Sequence, residues 1–172
     1  IDGLNVSNWE SENVYRDLNK GNVSAINATV ATWENYQQTI ANISTWYSRF
    51  NSRSDISLIK NVNDIFEAAD NNKTGIIIGF QNASPIENNL DYFYTFNELN
   101  VKIIQLAYHE RNLLGNGCYE RSDEGLSNFG IDAIKVMNDV GILIDLSHVG
   151  IVTTMETIEH SEKPIAITHA NP

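Results

Sequence analysis

The chain contains a single cysteine, Cys118, among its 172 residues. No disulfide can form within it, and a chain without disulfides is typical of a reducing compartment, so we expect a cytoplasmic protein. The sequence also lacks any run of roughly 20 apolar residues, so we expect no transmembrane helix. It likewise lacks the basic and then apolar pattern of a secretory signal peptide.

Positive charge is scarce as well. The chain has 11 Lys and Arg against 22 Asp and Glu, for a formal net charge of −11. Nucleic acids and anionic membranes are therefore unsuitable partners, because phosphate binding needs clustered basic side chains. A small-molecule substrate fits this composition better, and a homo-oligomer is compatible with it. An apolar content of 42% is enough for one core, so we treat residues 1–172 as a single domain.

Helix-type and strand-type patterns alternate along the whole chain. This alternation predicts an α/β fold, a (β/α)8 TIM-type barrel of which this chain holds only about the first six strands. An open, doubly wound sheet is the alternative. We expect the chain to be part of a longer polypeptide, with unpaired sheet edges at its first and sixth strands. The six predicted strands cover residues 1–6, 23–30, 74–80, 101–106, 142–146 and 165–168, and a short extra strand covers 55–59.

Two histidines follow the last two predicted strands. ILIDLSH ends at His148 and PIAITH ends at His169. A polar residue at the carboxyl end of a barrel strand lies at the barrel mouth, where these folds carry their chemistry. Imidazoles in that position can bind a metal, although a structural role in hydrogen bonding remains the alternative for each. Asp145 precedes His148 by three residues and either orients a ligand imidazole or bonds to nearby backbone.

A loop of about twenty residues follows the fourth predicted strand, over 107–127. Loops of this length inside a compact domain are usually functional or disordered. Tyr108 and His109 open it, next to the expected barrel mouth. Cys118 also lies in this loop, but the sequence pairs it with no base, so we do not predict a nucleophile there.

Three segments together resemble the membrane (renal) dipeptidase family of metallopeptidases. GLSNFG (125–130) and MNDVGILIDLSHV (137–149) are similar to a family loop and to a strand that ends in a zinc-binding histidine. KPIAITH (163–169) looks like the next family strand, whose last histidine also binds zinc. The resemblance covers almost the whole chain. It implies a (β/α)8 barrel with a two-zinc centre whose activated water hydrolyses dipeptides.

Several positions depart from the family pattern. The family's first strand carries a histidine and an aspartate that bind zinc, and Leu4 and Val6 stand at those positions here. Gln81 replaces a bridging glutamate, and Tyr108 replaces a histidine that touches substrate. The resemblance therefore implies one or two zinc ions held by His148, His169 and Gln81, with Tyr108, His109 and Asp145 as the catalytic residues.

These observations predict a dipeptidase-like metallohydrolase that cleaves dipeptides or related small amides. Because ligands of the usual centre are replaced, two alternatives stay open. One is a family member whose degenerate metal site serves a non-catalytic binding protein, since a fold does not determine a function. The other is a mononuclear hydrolase of another substrate class.

Overall fold

The computed structural model describes residues 1–170. Its centre is one sheet in which every neighbouring pair of strands is parallel. The strands are β1 (Asp2–Asn5), β2 (Ala25–Ala31), β3 (Ile56–Leu58), β4 (Thr74–Phe80), β5 (Val101–Gln105), β6 (Leu143–Asp145) and β7 (Ile165–Ala166). Six of them form the path β1-β2-β4-β5-β6-β7, and the short β3 pairs with β4 beside this path.

Strand order decides between the two predicted architectures. The six strands of the path lie side by side in the same order as in the chain, and this order never reverses. A doubly wound sheet contains such a reversal, whereas a barrel does not. The structure is therefore a six-stranded part of a (β/α)8 barrel, as the sequence predicted, and β3 is the extra strand expected near residues 55–59.

Helices connect the strands, and local sequence explains where several of them begin and end. They are α1 (Glu12–Lys20), α2 (Tyr36–Ser52), α3 (Val62–Asp70), α4 (Asp91–Glu98), α5 (Asn128–Val140) and α6 (Ile151–His160). Asn35 and Asn61 form capping boxes at the starts of α2 and α3. Gly141 ends α5 in the left-handed conformation, which glycine adopts without a Cβ penalty. None of these helices combines the length and the hydrophobicity that a bilayer-spanning segment requires.

The core lies between the sheet and its helices. Strand side chains such as Ile26, Ile78 and Ile104 are fully buried. Phe80 of β4 meets Phe96 of α4 edge to face, with ring centroids 4.9 Å apart. Burial on both faces explains why these strands read as continuous apolar runs in the sequence.

The sheet is strongly curved. A Cβ added to Gly3 of β1 would lie 2.6 Å from the backbone oxygen of Thr168, just after β7. The two ends of the strand path therefore approach each other, although β1 and β7 do not pair among residues 1–170. This curvature directs the carboxyl ends of β5, β6 and β7 toward one shared space.

Candidate metal centre

Four aromatic side chains gather at the carboxyl ends of β5, β6 and β7. Tyr108 and His109 follow β5, His148 follows β6 and His169 follows β7. The ring centroid of His148 lies 4.4 Å from that of His109, 4.8 Å from that of His169 and 4.6 Å from that of Tyr108. The three histidines line an open cleft of about 460 Å³. The structure thus brings together residues that the sequence places on three separate strands.

Asp145, at the end of β6, organises the base of this cluster. Its buried carboxylate accepts hydrogen bonds from the backbone and hydroxyl of Ser147, at 3.0 and 2.7 Å. It also accepts from the backbone and hydroxyl of Thr168, at 3.1 and 2.6 Å. Asp145 therefore ties the end of β6 to the end of β7, and with them the histidines that follow each strand.

The same network determines the tautomer of His169. The hydroxyl proton of Thr168 goes to Asp145, so Thr168 Oγ1 accepts a hydrogen bond from His169 Nδ1–H, at 2.8 Å. Nε2 of His169 then carries a lone pair. This atom is buried and has no hydrogen-bond partner among the described residues. A buried nitrogen without a partner is unfavourable unless an electron-pair acceptor occupies the space beside it.

Burial favours the neutral form of the His148 and His169 imidazoles. Burial lowers the pKa of His148, the neighbouring imidazoles of His109 and His169 lower it further, and Asp145 opposes the shift. Burial also lowers the pKa of His169, again against Asp145. A neutral imidazole is the form that binds a metal ion, so both side chains are in the correct state at neutral pH.

The backbone is strained at two of the histidines. His109 has a φ of 61° and His148 has a φ of 59°, in the left-handed region that few residues other than glycine adopt. Such conformations persist only where surrounding contacts impose them, and they concentrate at functional sites. Here they orient two imidazoles toward the same cleft.

Cys118 is the residue of this cluster that sequence reasoning missed. Its backbone N–H donates to the carbonyl of His148 at 2.8 Å, and the N–H of Tyr119 donates to the carbonyl of His109 at 2.9 Å. The loop therefore runs between the two histidines and places Cys118 Sγ 3.6 Å from His109 Nδ1. A Cβ at Gly117 would overlap the backbone of His109, so this close approach requires glycine.

Trp33 is a further aromatic side chain near this cluster. It precedes α2, and it is 59% exposed. Its ring meets that of Tyr108 edge to face, with centroids 5.5 Å apart. Trp33 therefore borders the site instead of the core.

Comparison with known proteins identifies the family. The model of the membrane dipeptidases, peptidase family M19, matches residues 4–172. The chain belongs to this family. Among the M19 relatives, dipeptidase verJ of Clonostachys rogersoniana is 24% identical over 165 residues, which are 95% of this chain and 42% of that protein.

Solved structures show the same fold. An amidohydrolase from Pseudomonas aeruginosa is 42% identical with a TM-score of 0.94, over 98% of this chain and 51% of that one. A metallopeptidase from Rhodobacter sphaeroides, solved with a phosphinate mimic of the dipeptide L-Ala-D-Ala, shares the fold with a TM-score of 0.74 at 18% identity, over 79% of this chain and 41% of its own. The chain spans about half the length of the M19 proteins that it matches.

Three of the replaced positions, Leu4, Val6 and Gln81, are not among the residues that line the cleft of this M19 chain. Gln81 is buried, and its side-chain amide donates to Thr29 at 3.1 Å. Leu4 belongs to β1, and Val6 follows that strand with 66% of its surface exposed. Neither aliphatic side chain has a lone pair to offer a metal. Gln81 as a ligand therefore stays a prediction, whereas His148 and His169 both line the cleft.

Proposed function

We propose that this chain carries the metal-binding part of a hydrolase that cleaves dipeptides or related small amides. The observation that carries the proposal is the buried, unpartnered Nε2 of His169, beside the neutral imidazole of His148. Both histidines follow neighbouring strands at the carboxyl end of a barrel sheet, where TIM-type folds place their catalytic groups. Membership of the M19 family supports the same chemistry.

His148 and His169 are the proposed ligands, and the donor set suits a zinc ion because zinc prefers nitrogen and sulfur donors. When bound, such an ion polarises the scissile carbonyl and lowers the pKa of a water molecule that attacks it. The relay from Asp145 through Thr168 holds His169 in the tautomer that leaves Nε2 unprotonated. Asp145 is in this role a positioning residue, since Thr168 stands between its carboxylate and the imidazole.

Substrate contacts are proposed for the open side of the cleft. Tyr108 packs against His109 and His148, so its phenol is available to bind a polar group of the substrate near the metal. Ile151 and Met155 of α6 add apolar surface to the cleft. Such a mixture of apolar walls and few polar groups suits a dipeptide side chain and backbone.

One specific observation favours a second candidate. Leu4, Val6 and Gln81 replace ligands of the family's two-zinc centre, which points to one metal ion instead of two. A mononuclear hydrolase of another amide class, or a protein that binds its ligand without cleaving it, would both tolerate these replacements.

The experiment that tests the proposal is hydrolysis of a dipeptide panel by the full-length protein after zinc loading. We expect amino acid release, and we expect His169→Ala to weaken zinc affinity by more than about 100-fold, because second-shell changes alone cost 10- to 100-fold. His160→Ala, at the exposed carboxyl end of α6, is the matched histidine control and should retain both properties.

Two results would contradict the proposal. Zinc-loaded protein that binds dipeptides in calorimetry without releasing amino acids would favour the binding protein. Equal zinc affinity in wild type and His169→Ala would remove His169 from the metal centre.

A further inference from the structure

Three potential metal donors converge in the long loop and at the two strand ends beside it. The donor atoms of His109, Cys118 and His148 all lie within 4.8 Å of one another, and no other such group of His, Cys, Asp or Glu occurs among residues 1–170. None of these three side chains belongs to the first strand, where the family resemblance locates the missing ligands. The loop therefore brings new donors to the cleft from a different part of the chain.

The backbone determines this convergence. Gly117 and Val149 form an isolated antiparallel bridge next to the hydrogen bonds of Cys118 and Tyr119. The ring of Tyr119 stacks on His109 with centroids 4.1 Å apart and an interplanar angle of 6°. His109 is thus held from one side by its neighbour in the loop, while Cys118 is anchored to the carbonyl of His148. Three donors on a rigid frame are what a preorganised site requires.

The chemistry of the donors selects the ion. Two imidazoles and one thiolate suit zinc and similar transition metals, whereas magnesium and calcium prefer oxygen ligands. Three protein ligands with one open position are the usual arrangement of a catalytic zinc site. His109, Cys118 and His148 supply these three ligands by themselves, whereas His148 and His169 alone supply one ligand fewer.

We propose that His109, Cys118 and His148 bind one divalent transition-metal ion, Zn²⁺ being the ion that fits, and that His109 and Cys118 replace the donors that Leu4 and Val6 cannot provide. The inference deepens the proposed function and rests on it only for the reaction. The thiolate–metal bond itself can be measured without any turnover. His169 lines the same cleft but lies outside this three-atom group.

A Cys–His nucleophile is the competing interpretation of the same contact. Cys118 Sγ and His109 Nδ1 are 3.6 Å apart, and a thiol beside an imidazole can act as a nucleophile. The imidazole of His148, with a nitrogen within 4.8 Å of the same sulfur, favours coordination, since a nucleophile needs one base and a metal ion needs several donors. Alkylation of Cys118 distinguishes the metal site from the nucleophile, because a metal-bound thiolate is protected from alkylation and a catalytic thiolate is not.

The experiment uses full-length wild type, Cys118→Ser, His169→Ala and the control His160→Ala. Cobalt(II) is added to metal-free protein, and near-ultraviolet absorption reports thiolate-to-cobalt charge transfer. At saturating cobalt(II) we expect this band in wild type, in His160→Ala and in His169→Ala, because His169 lies outside the three donors, and we expect its loss in Cys118→Ser. Cys118 is exposed, so Ser should preserve the fold, which circular dichroism checks.

Zinc binding and thiol reactivity complete the test. Cys118 is the single cysteine among residues 1–172, and mass spectrometry of the peptide that carries it reads iodoacetamide labelling at this site. Zinc should slow labelling of wild type at least about 10-fold, and Cys118→Ser should weaken zinc affinity at least about 10-fold, the lower limit for second-shell changes. A wild type without the charge-transfer band, or one labelled equally fast with and without zinc, would overturn the inference.

The outcomes also separate this inference from the proposed function. An intact cobalt–thiolate band without dipeptide hydrolysis keeps the metal centre and removes the dipeptidase. Dipeptide hydrolysis that survives Cys118→Ser unchanged, with equal zinc affinity, keeps the dipeptidase, removes Cys118 from its metal centre and overturns the three-donor site.

Discussion

At the scale of single residues, Thr168 connects Asp145 to His169. It is the one group between the Asp145 carboxylate and the His169 imidazole, and its hydroxyl donates to the first and accepts from the second. Direct contact between them is too long for a hydrogen bond, with His169 Nδ1 and Asp145 Oδ2 3.9 Å apart. The orientation of His169 therefore depends on a hydroxyl that the sequence analysis did not single out.

Replacing Thr168 tests this relay. Thr168→Val keeps the shape of the side chain and removes the hydroxyl, so we expect zinc affinity to fall about 10- to 100-fold, as for other second-shell partners. Thr168→Ser restores the hydroxyl and should recover most of the affinity. Competition with a chelating indicator measures both. A purely structural role would instead change thermal stability in both variants and leave zinc affinity unchanged.

At the scale of elements, α6 is capped by a residue from the long loop. Its N-cap is Gly150, which has no side-chain oxygen. The Asp123 carboxylate accepts from the backbone N–H groups of Val152 and Thr153 instead, and from the Thr153 hydroxyl at 2.9 Å. A Cβ at Gly150 would overlap this carboxylate. The glycine thus makes room for a cap from 27 positions earlier in the chain.

This cap predicts a pH-dependent stability. Burial raises the pKa of Asp123, but hydrogen bonds from Gly125, Thr153 and Val152 outweigh it, so the pKa is lowered overall. A carboxylate with a lowered pKa stabilises the fold fully above its unfolded pKa of about 3.9, and this stability is lost as the pH falls through the folded value. Asp123→Ala should lower the free energy of unfolding by about 1 kcal/mol at neutral pH and by less in acid.

Urea unfolding of the full-length protein at neutral and acidic pH measures this difference. Asp139→Ala, at an exposed position of α5, is the control and should change stability little at either pH. Acid protonates Asp123 in the wild type and removes the charge that caps the helix, so the substitution should cost less there. An equal loss of stability at both pH values would therefore contradict the cap.

At the scale of the whole molecule, the contact between sheet and helices determines stability. Phe96 is fully buried, and it contacts Phe80 of β4 and Tyr36 of α2. Phe96→Ala should therefore cost about 3–5 kcal/mol in the free energy of unfolding, from lost burial and the cavity left behind. Phe66→Ala in α3 is the matched control, since Phe66 is 64% exposed and its loss should cost little. Chemical denaturation followed by circular dichroism compares them, and equal losses would contradict this location of the core.

Helices and strands were predictable because their signals are local. The predicted strand 74–80 is found unchanged as β4, and the continuous apolar run TGIIIGF was sufficient to locate it. Boundaries elsewhere differ by a few residues at most. Helix α2 begins at Tyr36, because the capping box of Asn35 and Gln38 starts it there. This start leaves Trp33 outside the helix and beside Tyr108.

The sequence by itself determined the parallel α/β architecture, the strand ends at His148 and His169, and the resemblance to the dipeptidases, because periodicity and short motifs are properties of neighbouring residues. Only the tertiary structure decided that His169 Nε2 is buried without a partner among residues 1–170, and that Cys118 lies against His109 and His148. Both depend on hydrogen bonds between segments distant in the chain, from Thr168 to Asp145 and from the loop to the two histidine carbonyls. No pattern along the chain encodes such contacts, since they exist only when the curvature of the sheet brings its strand ends together.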